Sequence, residues 1–225
     1  MAGSACHKNE MPQLNDSLAV SRPSVSSKTW LALGDSYTIG ESVTASARYP
    51  AQTTAILKAA GIDIADPQYI ATTGWTTANL IAALTTQNPR GPFSLVTLLI
   101  GVNDQYQGVD TATYSHNFSQ LLQKAISLAG YQATHVVVLS IPDYGVTPFG
   151  SADSANIRRQ IDMFNVINLA ITRSYQVSYV DVTPVSRLAA GDPSFIAGDG
   201  LHPSAKQYAV WTSLLLPVAQ QALTH

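Results

Sequence analysis

Ser36 follows an apolar run, Trp30-Leu31-Ala32-Leu33, that stops at Gly34-Asp35. A buried strand ending in a glycine turn delivers a hydroxyl to the carboxyl edge of a sheet, where α/β enzymes present a nucleophile. The hydroxyl alone is a poor nucleophile and needs a base. His202, in Asp199-Gly200-Leu201-His202-Pro203, can take the Ser36 proton and return it to a leaving group. Asp199 reaches the other imidazole nitrogen if this segment is a turn entering a helix, with Pro203 in the first helical turn. Its carboxylate would fix the tautomer and stabilise the imidazolium. A tetrahedral oxyanion also needs donors, and the expected ones are the Ser36 backbone N–H, the Gly74 N–H and the Asn103 carboxamide. Glycine suits that role because its backbone can approach a ligand closely.

These groups meet only if the elements between them bring them together. Short apolar runs at 29–34, 67–72, 94–100, 134–141 and 177–182 have strand length. Helical segments alternate with them. The first runs from about Ala47 to Gly61, with Pro50 in its first turn and the glycine at its C′ position. Others span 76–85, 111–129 and 155–175, and a last one follows Pro203. The 111–129 segment aligns Tyr114, Phe118, Leu121, Leu122, Ala125 and Leu128 on one stripe. Strand–helix alternation predicts a parallel sheet with helices on both faces. The unbroken apolar runs at 95–100 and 136–141 fit strands buried on both sides. Ser36, Gly74, Asn103 and the Asp199–His202 block then fall at one sheet edge, and the segments 142–154 and 183–198 read as loops over it.

With 46% hydrophobic and 12% charged residues, the chain is globular and relies on neutral polar residues for solubility. A formal net charge of −2 gives no electrostatic reason to expect a nucleic-acid partner. A single cysteine excludes an internal disulfide and a zinc site built on thiolates. His7, His116, His135 and His225 have no metal-ligand spacing, so no cofactor or metal is expected. Asp35 and Asp104 read as turn residues, with Asp35 capping the turn beneath Ser36.

The blocks Gly34-Asp35-Ser36-Tyr37-Thr38-Ile39-Gly40, Gly74, Gly101-Val102-Asn103-Asp104 and Asp199-Gly200-Leu201-His202-Pro203 resemble those of the GDSL esterases, or SGNH hydrolases. The resemblance runs from residue 29 to about 222. It implies a flavodoxin-like three-layer α/β/α sandwich on a five-stranded parallel sheet. It also implies hydrolysis of esters or thioesters through an acyl-enzyme, without a metal. By position it makes Ser36 the nucleophile, Asp199 and His202 its triad partners, and Gly74 and Asn103 oxyanion donors.

The expected partner is a small-molecule acyl ester. Two substrate classes are open: lipid-type esters (lysophospholipid, acyl thioester or arylester) and acetylated carbohydrate. Tyr37, Trp75, Tyr106, Tyr144 and Phe149 fall near the site loops and are candidate pocket walls. A non-catalytic glycan-binding surface lipoprotein on the same fold is the alternative, but it predicts a defective set of catalytic residues. A nucleotide or flavin binder is disfavoured because Asp35 stands where a phosphate would sit, and the Gly-x-Ser-x-Gly elbow of lipases is absent around Ser36.

Residues 1–27 read as a polar tether ahead of a hydrolase domain over 28–225. Within it, Ser4-Ala5-Cys6 resembles the end of a bacterial lipoprotein signal, with Met1-Ala2-Gly3 as cloning residues. That reading predicts an exported protein, periplasmic or lipid-anchored at Cys6. An incidental cysteine would instead leave it cytoplasmic.

Overall fold

The computed structural model describes residues 1–3 and 27–224, so Cys6, His7, His225 and nearly all of the tether lie outside the described residues. Five parallel strands form the sheet: β1 (Trp30–Gly34), β2 (Gln68–Ala71), β3 (Leu95–Leu99), β4 (Val136–Leu139) and β5 (Ser178–Val180). Their order is β2-β1-β3-β4-β5, the doubly wound arrangement expected from the alternation. Every residue of β1, β3 and β4 is buried, as required of strands covered on both faces.

Helices α1 (Ser36–Ile39), α2 (Tyr49–Ala59), α3 (Thr77–Gln87), α4 (Val102–Tyr106), α5 (Thr111–Leu128), α6 (Ser154–Ser174), α7 (Thr183–Arg187) and α8 (Ala205–Thr224) complete the chain. α2 packs on α8, while α3, α5 and α6 pack in a row. The whole stripe of α5 from Tyr114 to Leu128 is buried. Thr97, a polar residue inside β3, accepts from the Trp30 indole N–H at 3.0 Å, so its buried hydroxyl has a hydrogen-bond partner.

Register explains why the polar residues gather. Gly34 aligns with Ala71 on one side and with Leu99 on the other. The three strands therefore end level, and the residues just past them emerge along one edge. Gly34 itself is dictated by space: a Cβ there would sit 2.2 Å from Thr38 Oγ1 and 2.3 Å from the Leu99 carbonyl oxygen.

Two expectations change. The segments 142–154 and 183–198 are not open loops but successions of short helical turns, with 3-10 turns at 144–146, 151–153, 188–190 and 193–195 and the α-helix α7. A partly buried ion pair ties them together, Arg187 Nε to Asp143 at 2.9 Å. Pro203 does not open the last helix. It pairs with Ile196 in an antiparallel bridge, and Ser204 caps α8 by accepting from the Gln207 N–H at 3.3 Å.

Candidate active site

The turn carrying Ser36 is built from its own sequence. Asp35 sits at the N-cap of α1 and accepts from the Tyr37 N–H at 3.0 Å, the capping role expected of it. Gly40 ends α1 at φ 67°, in the left-handed region where glycine costs least. Tyr37 is locked by the Tyr208 hydroxyl, which donates to its carbonyl at 2.9 Å. Ser36 is 4% exposed and its backbone N–H has no partner among the described residues.

The second block is a turn from Thr72 to Trp75, closed by the Trp75 N–H on the Thr72 carbonyl at 3.2 Å, with Gly74 at φ 82°. A glycine suits the third position of such a turn because a positive φ is needed there. Two side chains from around α4 fasten this turn. Asn103 Nδ2 donates to the Trp75 carbonyl at 3.0 Å, and Gln107 Nε2 donates to the Gly74 carbonyl at 3.3 Å. The second Nδ2 proton of Asn103 and the Gly74 N–H have no partner among the described residues. Asp104 accepts from the Thr77 N–H at 2.8 Å and so anchors the start of α3. Burial pushes its carboxyl up, and the bonds from Thr77 offset only part of that push.

The third block is the tip of the small hairpin made by the Ile196–Pro203 bridge. Asp199 Oδ1 accepts from the Leu201 and His202 N–H groups, both at 3.0 Å, and Oδ2 lies 2.6 Å from His202 Nδ1. The Ser42 hydroxyl also donates to Oδ2 at 2.6 Å. Partial burial pushes the Asp199 carboxyl up, but these hydrogen bonds, led by Ser42 and the His202 ring, outweigh it and hold it well below the ordinary carboxylate range. The His202 ring packs on Tyr37 with centroids 5.5 Å apart.

Ser36, Gly74, Asn103 and His202 line one cleft, which is partly open to solvent. Tyr37, Tyr106, Tyr144 and Phe149 also line it, and Trp75 does not. Trp75 enters only through its carbonyl, because the turn directs its side chain toward the core cluster. Thr73, Val102 and Leu201 complete the walls without a sequence signal of their own. Ser36 Oγ and His202 make no hydrogen bond within 3.5 Å among the described residues; such contacts are often looser without substrate. No group of three metal-ligating side chains occurs among the described residues.

No match is found among curated proteins. Among solved structures the fold is similar to TesA, with a TM-score of 0.68 and 21% identity over 87% of this chain and 100% of that one. It is similar to the acetylxylan esterase Axe2 of Geobacillus stearothermophilus, with a TM-score of 0.64 and 19% identity over 85% and 94% of the two chains. It also resembles the esterase EstA of Pseudoalteromonas, with a TM-score of 0.63 and 18% identity over 88% and 100%. At these identities the likeness is one of fold. Residues 32–210 match the family model of the GDSL-like lipases and acylhydrolases, a span that holds all of the blocks described above. The chain belongs to this GDSL-like lipase/acylhydrolase family and is a hydrolase of ester bonds.

Proposed function

We propose that the cleft hydrolyses small acyl esters through an acyl-enzyme on Ser36. The observation that carries this reading is the 2.6 Å contact of Asp199 Oδ2 with His202 Nδ1, in a cleft shared by His202 and Ser36. With Nδ1 engaged, Nε2 is the nitrogen left to serve the serine. His202 removes the Ser36 proton as Oγ attacks the ester carbonyl, and Asp199 stabilises the resulting imidazolium. The oxyanion takes hydrogen bonds from the Ser36 and Gly74 N–H groups and the free Asn103 proton. Collapse of the intermediate expels the alcohol, which receives the proton from His202. Water then attacks the acyl-enzyme with the same residues in the same roles, releasing the acid and restoring Ser36.

The depressed carboxyl of Asp199 supports its part, since it stays ionised through the neutral range. The substrate class we favour is short acyl esters in solution, acetylated carbohydrate included. The likeness in fold to an acetylxylan esterase supports that choice.

Ser36→Ala tests the mechanism. The purified variant should lose hydrolysis of p-nitrophenyl acetate while keeping the wild-type Tm, and a fluorophosphonate should label the wild type on the Ser36 peptide alone. Full turnover by the folded variant, or labelling elsewhere, overturns the assignment.

A further inference from the structure

The cleft ends on three aromatic rings. Tyr106, Tyr144 and Phe149 stand with centroids 6.3, 5.9 and 6.2 Å apart around the trio, each ring touching the other two. Beside them lies a second groove, open to solvent and lined by the same three residues together with Gln105, Asn156, Ile157 and Gln160. The two spaces share those three rings as lining, and no other residue lines both.

The wall is held from behind. Asp143, next to Tyr144, accepts from the Gly145 N–H at 2.9 Å and pairs with Arg187. Phe149 is bonded through its N–H to the Gly200 carbonyl at 3.2 Å, inside the turn that carries Asp199 and His202. A Cβ on Gly150 would lie 2.3 Å from the Tyr144 carbonyl oxygen, so only glycine lets the two ends of this segment close on each other. Tyr106 comes from the other side, at the end of α4, and is three residues from Asn103, about 5 Å along the helix. Tyr144 is buried, whereas Tyr106 is 60% and Phe149 53% exposed. Two large rings left in water beside the site are held there by contact with each other, not by burial.

We infer that Tyr106 and Phe149, backed by Tyr144, set the acyl-chain length that this enzyme accepts by shutting the cleft off from the groove behind it. This rests on the esterase reading of Ser36. An acyl chain on Ser36 that runs along Val102 and Leu201 meets the rings that line the same cleft. Each methylene buried along the way is worth roughly fourfold in kcat/KM, and the gain stops at the wall. Removing either exposed ring joins the cleft to the groove and lets a longer chain continue.

The test is kcat/KM on p-nitrophenyl esters from C2 to C10 with the full chain, for wild type, Tyr106→Ala, Phe149→Ala and, as a control on surface rings, Tyr131→Ala, whose ring is 81% exposed. The wild type should peak at C2–C4 and fall beyond. Each wall variant should raise the C8:C4 ratio at least tenfold, and Tyr131→Ala should leave that ratio unchanged. Rates of inactivation by ethyl and octyl fluorophosphonates should shift in the same sense, independently of turnover. The proposal is overturned if both wall variants, folded by circular dichroism, keep the wild-type ratio, or if the wild type already takes C8 as well as C4. Absence of Ser36-dependent turnover at every chain length would overturn the esterase reading, and this inference with it.

Discussion

Ser42 donates its hydroxyl to Asp199 Oδ2 across 157 residues of chain, and it does so to the same oxygen that faces His202 Nδ1. Ser42 has φ 64°, a left-handed conformation that costs a non-glycine residue of the order of 1 kcal/mol. The strained residue therefore orients the carboxylate that orients the histidine. That contact predicts a positioning role for Ser42, and nothing in its neighbourhood in sequence announces it.

Ser42→Ala should lower kcat about 5- to 10-fold with little change in KM. A hydrogen bond to a charged group is worth about 1.5–3 kcal/mol, and here it is discounted because Ser42 is exposed. Ser42→Gly removes the same hydroxyl but relieves the backbone, so a kcat loss common to both variants reports the hydrogen bond. A parallel rise in KM in both would point instead to a general disturbance of the cleft.

Asn103→Ala should cut kcat about 10²- to 10³-fold, the usual effect of deleting one oxyanion donor. It also frees the Trp75 carbonyl that fastens the Gly74 turn. Asn103→Asp should be no better, because it puts an acceptor and a charge where a donor is needed. Burst kinetics with p-nitrophenyl acetate would place the loss in acylation. A kcat within fivefold of wild type would remove Asn103 from the oxyanion site.

The burial of Asp35 predicts a contribution to stability that varies with pH. It is fully buried, and Oδ2 has no hydrogen-bond partner. Burial, with Asp104 nearby, pushes its carboxyl up from 3.8 to about 8 against the pull of the Tyr37 N–H. Between those values the folded chain holds a proton that the unfolded chain has released. The stabilisation is complete below 3.8, shrinks by about 1.4 kcal/mol per pH unit through the window, and is gone above about 8. Asp35→Asn carries no such proton, so its stability should fall less than that of the wild type between pH 5 and pH 8. Urea midpoints at three pH values in that range would show this; parallel curves for the two proteins would mean that Asp35 ionises in the fold.

The site is legible where its groups lie close in sequence. Asp35 and Ser36 adjoin, and Asp199 and His202 are three apart, so a turn suffices to bring each pair together. The strands are legible because their burial leaves unbroken apolar runs. Pro203 misleads, since its fixed φ serves an extended bridge to Ile196 as well as a helical first turn. The helical turns within 142–154 and 183–198 have no apolar period, being stabilised by Asp143, Arg187 and Ser186 from distant segments.

By itself the sequence determined the alternation of elements, the strand that ends in Gly34-Asp35-Ser36 and the local Asp199–His202 pairing, because propensity, periodicity and short turns are encoded by neighbours along the chain. Only the tertiary structure decided that Ser42 holds Asp199, that Asn103 and Gln107 fasten the Gly74 turn, and that Tyr106, Tyr144 and Phe149 meet as a wall while Trp75 turns away. Those contacts depend on the register that ends β1, β2 and β3 level and on segments far apart in the chain packing over that edge, which no local pattern of residues records.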